Sequence, residues 1–474
     1  MPVKAPVQTS VSGWGGFYVG ASVGSRWSDV DWTTNGFATF APIGDNVHRF
    51  GPESARFGGY AGFNLQFGGW VTGLEAEGGF VDNGREAIPG VVGVFRGMGF
   101  GGAGLNPDET AVATRWDAAL RGRMGYLVAP NTLLYGTGGL AVQETELSLR
   151  CVSLLCATLL SESKNKTQFG WTLGGGLETM FAGNWLARVD YRYSEFGRFD
   201  HTFFAGTVDA VNVSAKAQTH TVSAGIAYKF GQTSVDRGPV YVPPVRPASW
   251  SGLYAGGSVG ARRTAADWET VRVFGVGAGI PAADNISEID NTAFRLAGFA
   301  GANIQHQAAV FGIEADLGAA FEAKKKIWGI PGTEVGLGAV APVLDRTSIA
   351  TPWDGSLRLR AGLLIEPNVL VFATGGLAFQ KAEMGLECRP GGRMCGNFPA
   401  QDRPETASKT MTGWTLGGGI EAMVTEHWFV RGDYRYADFG VFRHAFFADN
   451  PNITVTGETR ITTHTATLGL GRRF

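Results

Sequence analysis

The sequence has little charge, little cysteine and no long apolar run. Charged residues make up 17% of its 474 residues, whereas soluble domains average about 25%. Because the net charge is only −2, no strong field favours nucleic acid or another polyanion. Four cysteines are too few for a disulfide scaffold, and no stretch approaches the roughly 18 apolar residues of a membrane helix. The composition therefore argues against helical membrane proteins, basic nucleic-acid binders and disulfide-rich folds.

Glycine and aromatic residues are abundant instead. The chain contains 71 glycines, 31 phenylalanines, 13 tryptophans and 11 tyrosines. The glycines show no collagen period, and the aromatic content argues against disorder. What remains is a chain built of short segments in which apolar and polar residues alternate.

The sequence repeats itself once, in order and over most of its length. Each repeat begins at a tryptophan, Trp14 or Trp250, and ends at a phenylalanine, Phe230 or Phe474. The clearest recurring segments are Gly16-Phe-Tyr-Val-Gly with Gly252-Leu-Tyr-Ala-Gly, Gly170-Trp-Thr-Leu-Gly-Gly-Gly with Gly413-Trp-Thr-Leu-Gly-Gly-Gly, and Asp190-Tyr-Arg-Tyr with Asp433-Tyr-Arg-Tyr. The offset grows between these segments, as insertions in connecting loops would produce.

These motifs predict the domain organisation. The chain divides into a proline-bearing tail 1–13, a first repeat 14–230, a proline-rich linker 231–249 and a second repeat 250–474. The prolines of the linker stiffen it and exclude regular structure. The start shows no charged stretch followed by an apolar segment, so we expect a signal peptide either to have been removed or to precede Met1.

Within each repeat the apolar residues recur at every second position, which is the period of a β-strand. Ala187 and Val189, for example, flank Arg188. Eight such segments are predicted in the first repeat, at 14–28, 54–67, 72–82, 115–128, 132–147, 166–180, 185–199 and 218–230. Each reaches the roughly 9–11 residues with which a tilted strand crosses a bilayer. Long and short connections alternate, which predicts an antiparallel transmembrane β-barrel with long loops outside.

The aromatic residues indicate which face of these strands meets lipid. A soluble barrel would bury the apolar face and expose the polar one. Aromatic side chains instead ring the apolar face near the strand ends, as at two membrane interfaces. We expect Trp116 and Trp171 at one rim and Trp14, Trp185 and Phe230 at the other. The sequence thus predicts an all-β chain of two tandem eight-stranded transmembrane barrels, with one sixteen-stranded barrel as the alternative.

The ionisable residues of the opposite face are then predicted to lie in the lumen. Near-equal numbers of acids and bases, five and four in each repeat, allow buried charges to pair. A salt-bridged plug is favoured over a narrow path for ions or protons. The predicted network comprises Glu75, Glu77, Asp117, Arg121, Arg123, Glu178, Arg188, Asp190 and Arg192, and then Glu314, Asp316, Asp354, Arg358, Arg360, Glu421, Arg431, Asp433 and Arg435.

The four cysteines form two equivalent pairs in predicted outer loops. Cys151 and Cys156 lie in the first repeat, and Cys388 and Cys395 lie in the second. Because neither spacing is Cys-x-x-Cys and no histidine cluster accompanies them, loop disulfides in an oxidising compartment are favoured over metal ligation.

Two further segments suggest partners. Phe474 ends an aromatic-bearing amphipathic strand and resembles the C-terminal signal by which the barrel assembly machinery of the outer membrane recognises its clients. The run Lys324-Lys-Lys326 is expected to be a solvated face, with contact to lipopolysaccharide phosphates as the more specific alternative.

Taken together, the motifs resemble the small outer-membrane immunogenic proteins of alphaproteobacteria, a family of eight-stranded porin-like barrels. The resemblance rests on the Trp-x-Gly-[Phe/Leu]-Tyr-x-Gly start, Thr-Gly-Gly-Leu-Ala midway, Gly-Trp-Thr-Leu-Gly-Gly-Gly, the Tyr-Arg-Tyr strand and the terminal Phe, and it covers both repeats. The family usually carries one barrel per chain, so this chain is a tandem duplication. The resemblance implies an integral protein of the outer membrane of a Gram-negative bacterium.

The expected function is structural, with long extracellular loops that present an interaction surface. A porin-like passive channel for small hydrophilic solutes is the alternative, and haem binding through loop His or Tyr is a minor one implied by relatives. Lipid and lipopolysaccharide are the expected partners. The sequence shows no constellation of a nucleophile with a base and no metal motif, so no enzyme activity, cofactor or nucleic-acid partner is expected.

Overall fold

The computed structural model of the protein describes residues 13–37, 46–82, 84–92, 108–152, 159–231, 249–274, 286–331, 345–388, 403–450 and 454–474. These residues form two antiparallel β-sheets. In these ranges no helix is long and apolar enough to cross a membrane.

The first sheet, called barrel one below, closes into a ring of eight strands. The ring strands are β1 (Gly16–Phe37), β3 (Glu53–Phe67), β4 (Trp70–Val81), β6 (Glu109–Ala129), β7 (Thr132–Cys151), β8 (Leu160–Phe181), β9 (Trp185–Phe196) and β11 (Val211–Phe230). The short strands β2 (Val47–Phe50), β5 (Arg85–Pro89) and β10 (Phe199–Phe203) extend it. Pairing of Phe17 with Phe230 joins the last ring strand to the first and closes the barrel.

The second sheet, barrel two, has the same plan. Its ring strands are β12 (Gly252–Phe274), β14 (Asn291–His306), β15 (Ala309–Phe321), β18 (Trp353–Glu366), β19 (Val369–Cys388), β20 (Arg403–Met423), β21 (Trp428–Phe446) and β22 (Thr454–Arg473). The short strands are β13 (Ile286–Glu288), β16 (Lys324–Trp328) and β17 (Arg346–Ala350). Tyr254 pairs with Arg473 to close the ring. The predicted fold of two tandem eight-stranded barrels is confirmed.

Several strands run further than predicted. The four segments between predicted strands that were expected as long loops, 29–53, 83–114, 148–165 and 200–217, are partly strand. The reason is visible in β7. Its outward residues are apolar in the lower half, where Leu140 is 70% exposed, whereas its inward residues are apolar in the upper half, where Leu147 is 0% exposed. The apolar face thus changes from the outside to the inside along one strand. A strand predicted from one alternating pattern stops at that change, although the strand itself continues.

This change of sides marks where the strands leave the bilayer. Above it the outer surface carries ion pairs such as Arg115–Glu146 and Lys216–Glu195, whereas charged side chains on the lipid face of a barrel are destabilising. Tight turns close the opposite, periplasmic end. Each barrel therefore has a lipid-facing lower part and a water-facing extracellular part with an apolar interior.

One predicted rim residue is wrong. Trp116, Trp171, Trp185 and Phe230 are exposed on the outer surface, as lipid-rim residues should be. Trp14 is fully buried inside barrel one, and its Nε1 donates to the Pro130 carbonyl at 3.2 Å. Trp14 precedes the first strand, so the alternation of β1 does not fix its direction.

Candidate functional site

The predicted lumen residues occupy inward positions on neighbouring strands. Glu75 and Glu77 are two positions apart on β4, so both side chains point to one face. Glu75 lies opposite Arg121 of β6, and Glu178 of β8 lies opposite Arg188 of β9. Because opposite charges on directly paired residues attract, the strand register itself brings acids and arginines together.

Asp117 is the centre of the upper layer of the network. Arg26, Arg56 and Arg192 each place a guanidinium nitrogen 2.7 Å from one of its carboxylate oxygens. The four side chains come from four different strands and are all buried. One carboxylate thus ties together strands on opposite sides of the ring.

Glu75 is the centre of the lower layer. It accepts hydrogen bonds from Arg121 at 2.6 Å, from Arg188 at 2.6 Å and from the Tyr18 hydroxyl at 2.7 Å. Glu77 joins the two layers, because it pairs with Arg56 at 2.7 Å as well as with Arg121. The network is therefore continuous across the lumen.

The remaining charges of barrel one lie at the edges of this network. Glu178 pairs with Arg123 at 3.2 Å, and Asp190 lies 3.5 Å from Arg121. The Ser223 hydroxyl also donates to Asp190 at 2.5 Å. All the lumen residues predicted in the first repeat are thus brought into one cluster.

Barrel two repeats the arrangement around Asp354 and Glu314. Asp354 pairs with Arg262 at 2.5 Å, Arg295 at 2.8 Å and Arg435 at 2.9 Å. Glu314 pairs with Arg358 at 2.5 Å and Arg431 at 2.8 Å, and accepts from Tyr254 at 2.8 Å. The other predicted residues complete the cluster: Asp316 with Arg435 at 2.7 Å, Glu421 with Arg360 at 2.9 Å, and Asp433 with Arg431 at 3.4 Å.

Sequence reasoning missed two arginines in each barrel. Arg26 and Arg56, and their equivalents Arg262 and Arg295, are buried and bind the central aspartates. Each cluster therefore holds six arginines and five acids rather than four and five, which changes its formal charge from −1 to +1. The alternation of β1 already placed Arg26 on the polar face and would have identified it.

Glycine makes room for these arginines. A Cβ built on Gly79 would lie 2.6 Å from Cζ of Arg56, and one on Gly318 would lie 2.6 Å from Cζ of Arg295. A guanidinium lying flat against the barrel wall leaves no space for a side chain there. The high glycine content of the polar face follows from this packing.

Apolar clusters cover the charged layer on both sides. Those on the periplasmic side are Trp14, Val71, Leu127, Leu133, Met180 and Leu186 in barrel one, and Trp250, Val310, Leu370, Met423 and Phe429 in barrel two. Those on the extracellular side include Trp32, Phe50, Leu147, Phe203 and Val213 in barrel one, and Trp268, Ile349, Met384, Leu386 and Phe446 in barrel two. The charges thus lie between two apolar layers.

The charged layer itself leaves no room for bulk water. The side chains of Arg121 and Glu75 are 0% and 1% exposed, whereas residues lining an aqueous channel would be accessible. The acids of this layer are paired with arginines. Chemically, the arrangement is suited to holding strands together.

The cysteine pairs lie only partly within the described residues. Cys151 and Cys388 are the last residues of β7 and β19 and are buried. Cys156 and Cys395 lie outside the described residues, so the predicted disulfides stay a prediction. In the described part of the chain, no group of three or more His, Cys, Asp and Glu could hold a metal ion.

The predicted partner segments are accessible. Phe474 is 70% exposed at the periplasmic end of the last strand. Lys324 and Lys326 lie on the short strand β16 rather than in a loop, and Lys326 pairs with Glu387 at 2.7 Å.

Closed rings with lipid-facing apolar bands and polar interiors define a transmembrane β-barrel protein. The family model described as outer membrane protein beta-barrel domain matches residues 3–230 and 242–474. The chain therefore belongs to this family, carries its domain twice and is located in the outer membrane of a Gram-negative bacterium. Lipid and lipopolysaccharide surround it there.

Curated relatives each match about half of the chain. The chain is 28% identical over 230 residues to the 25 kDa outer-membrane immunogenic protein of Brucella abortus, covering 48% of this chain and 85% of the relative. It is 29% identical over 234 residues to the 31 kDa outer-membrane immunogenic protein of Brucella melitensis, covering 48% and 88%. It is 29% identical over 229 residues to the 22 kDa outer membrane protein of Rhizobium leguminosarum, covering 48% and 82%. One relative thus corresponds to one repeat, and the expected family resemblance is confirmed.

The solved structures are less similar to this chain in sequence than the curated relatives are. Ail, the attachment invasion locus protein of Yersinia pestis, in complex with the heparin analogue sucrose octasulfate, is 12% identical with a TM-score of 0.23, covering 45% of this chain and 99% of that one. The P. putida toluene transporter TodX is 8% identical with a TM-score of 0.26, covering 97% and 90%. At these TM-scores the likenesses carry no argument about function.

Proposed function

We propose that the protein is a structural anchor of the outer membrane that presents a rigid extracellular surface. The observation that supports this most strongly is the filled lumen. In each barrel a buried layer of paired charges lies between two apolar clusters. An eight-stranded barrel has an interior that side chains just fill, so the expected product is a rigid rod rather than a pore.

The water-facing part of each barrel supplies the surface. Strands continue above the lipid-facing band, and their outer faces carry charged pairs such as Arg49–Asp31 and Arg85–Glu109. Loops between these strands would present further contact residues to partners outside the cell. The strands that end at Phe230 and Arg473 would both end on the periplasmic side, because an even number of strands returns each repeat there.

Insertion would use the exposed C-terminal strand. Phe474 stays accessible in the folded chain, as expected of a residue that the barrel assembly machinery recognises before closure. The proposal assigns the protein no catalytic activity, because the buried acids are held by arginines on several sides. Haem binding has no supporting observation in the described residues.

A liposome-swelling assay tests the proposal against the channel alternative. The full chain is reconstituted into vesicles and transferred into isotonic sugars and amino acids, with an open sixteen-stranded porin as the positive control. The proposal predicts swelling no faster than that of protein-free vesicles. Swelling that scales with the amount of protein and falls with solute size would establish a channel instead.

A further inference from the structure

The two barrels contact each other through equivalent faces. β8 and β9 of barrel one meet β20 and β21 of barrel two. The contact buries apolar side chains that would otherwise face lipid: Leu177, Val189, Ile420, Ala422 and Val430. At the periplasmic turns, Asn131 and its equivalent Asn368 exchange two hydrogen bonds, at 3.1 and 2.8 Å. An interface that uses the same patch on both sides has the geometry of a two-fold dimer.

The repeats differ at one position of this interface. Barrel one has Val189 on β9, and barrel two has Gly432 at the equivalent position of β21. A Cβ on Gly432 would lie 3.9 Å from the Val189 side chain. The valine of one barrel therefore packs against the glycine of the other.

The extracellular end of the interface is asymmetric. In barrel one, Trp27 stacks on His220 with ring centroids 5.6 Å apart. Barrel two has Arg263 in place of Trp27, and His464 in place of His220. The histidine is thus common to both barrels, and an arginine in barrel two replaces the tryptophan of barrel one.

Arg263 and His464 of barrel two contact acidic groups of barrel one. Arg263 is 1% exposed, and its guanidinium lies 3.8 Å from Asp29 and 3.5 Å from Glu53. It also donates to the Gly51 carbonyl at 2.5 Å. His464 Nε2 lies 3.0 Å from the other oxygen of Glu53. We call this group, Arg263 and His464 with Asp29, Glu53 and the Gly51 carbonyl, the charged lock.

The acids of the lock have no counterpart in barrel two. The strand register places Glu53 opposite Trp27 in barrel one, and Thr292 opposite Arg263 in barrel two. Asp29, two residues beyond Trp27, corresponds to Ala265, two residues beyond Arg263. Two copies of barrel two would bring Arg263 to alanine and threonine and leave it only Asp290 of its own barrel. Two copies of barrel one would bring Trp27 instead of an arginine to Asp29 and Glu53.

We propose that the two barrels of one chain form a fixed side-by-side pair in the membrane, in which the charged lock selects barrel two as the partner of barrel one. The apolar contact and the asparagine pair supply an interface that either barrel type fits. The lock supplies the discrimination, because only the mixed pair adds Asp29, Glu53 and the Gly51 carbonyl of barrel one to Asp290, the acid that the buried Arg263 already contacts in its own barrel. The pair would hold the two extracellular surfaces at one relative orientation.

Further carboxyl groups lie beside the lock, outside the lipid-facing band. Burial, with repulsion from Glu288 and Asp290, raises the pKa of Glu86 well above its usual range. Burial also raises the pKa of Asp290 to about 7, against the attraction of Arg263. The charged groups that face Asp290 are Arg263, Glu288, Asp29, Asp267 and Glu86. Acids outnumber bases here, so ionisation of these carboxyls opposes the pairing.

Cleavage of the linker tests the proposal in the full chain. A protease site is placed between residues 231 and 249, the protein is reconstituted and cut, and recovery of barrel one on a tagged barrel two is measured. We expect the two halves to stay together. Arg263→Glu is expected to weaken retention by about tenfold or more, because a buried cation is replaced by a further acid beside Asp29, Glu53 and Asp290. Arg460→Ala, which removes an exposed arginine of barrel two, is the matched control and should leave retention unchanged.

Two further variants keep the test independent of folding. The exchange Arg263→Glu with Glu53→Arg should restore part of the retention, while altered migration of unheated samples on gels confirms that both barrels are folded. Asn131→Cys with Asn368→Cys should cross-link the cut halves, whereas Asn131→Cys with Gln307→Cys, on the far side of barrel two, should not. Halves that separate freely, or Arg263→Glu behaving like Arg460→Ala with both barrels folded, would overturn the proposal.

Discussion

Replacing Asp117 by asparagine removes the charge on which the upper layer of barrel one depends. Arg56 and Arg192 keep Glu77 as a partner, at 2.7 and 3.3 Å. Arg26 pairs only with Asp117 among the described residues, so the variant leaves one buried guanidinium without a carboxylate. Breaking a buried ion pair by removing one partner costs about 3–5 kcal/mol. We therefore expect Asp117→Asn to lower the free energy of unfolding of barrel one by about that amount.

The assay is urea unfolding of the reconstituted chain, with the linker cut after each incubation and the folded halves scored by their migration on unheated gels. Barrel two serves as an internal standard, and Asp354→Asn should produce the same loss there. Asp31→Asn, which breaks an exposed pair with Arg49, should cost less than about 1 kcal/mol. Adding Arg26→Met to Asp117→Asn should restore part of the stability, because the stranded cation is removed. If Asp117→Asn lowers the free energy of unfolding no more than Asp31→Asn does, the claim that the buried charges hold the barrel together is refuted.

Three further predictions follow from the lipid-facing band, the interface and the cysteines. Leu140→Arg, on the lipid side of β7, should destabilise the inserted protein by about 2–4 kcal/mol, whereas Ser161→Arg on the water-facing part of β8 should be tolerated; equal tolerance would contradict the assigned band. The pKa of Asp290 is raised to about 7 in the paired state. Its contribution to pairing is therefore fully present below the ordinary carboxyl pKa of about 4 and is lost as pH rises through 7. Cut halves should separate more readily at pH 8 than at pH 5, and Asp290→Asn should reduce that difference. Non-reducing mass spectrometry should find Cys151 linked to Cys156 and Cys388 linked to Cys395, and free thiols at all four positions would reject these pairs.

The strand pattern and the lumen were predictable because both follow from local alternation. Glu75 and Glu77 share a face by their spacing alone, and their arginine partners recur on the equivalent face of the neighbouring strands. The closed rings and the family could be predicted for the same reason, since each repeat carries eight amphipathic segments and the same ordered motifs.

The alternation of apolar and polar residues does not determine whether lipid or protein covers the outward face of a strand. Val189 and Leu177 lie on the lipid side of their strands, yet barrel two covers them. Nothing in the local sequence of β8 or β9 distinguishes lipid from a second barrel as the apolar neighbour. Trp14 was misplaced for a related reason, because a residue before the first ladder pair has no strand register to fix its direction.

The strand ends could not be predicted from a single period. In β7 the apolar positions change from outward to inward between Leu140 and Leu147. A continuous strand that crosses from lipid into water must make this change, because the medium outside changes from apolar to polar. The sequence signal of the extracellular parts is therefore an alternating pattern followed, in the same segment, by a second one with the apolar residues on the opposite face.

A density map of the reconstituted protein, cut through the level of Asp117 and Asp354, tests the central claim most directly. The account predicts two separate rings of eight strands, each with side-chain density joining opposite walls around its central aspartate. A single ring of sixteen strands around open solvent, or two rings with empty centres, would contradict it.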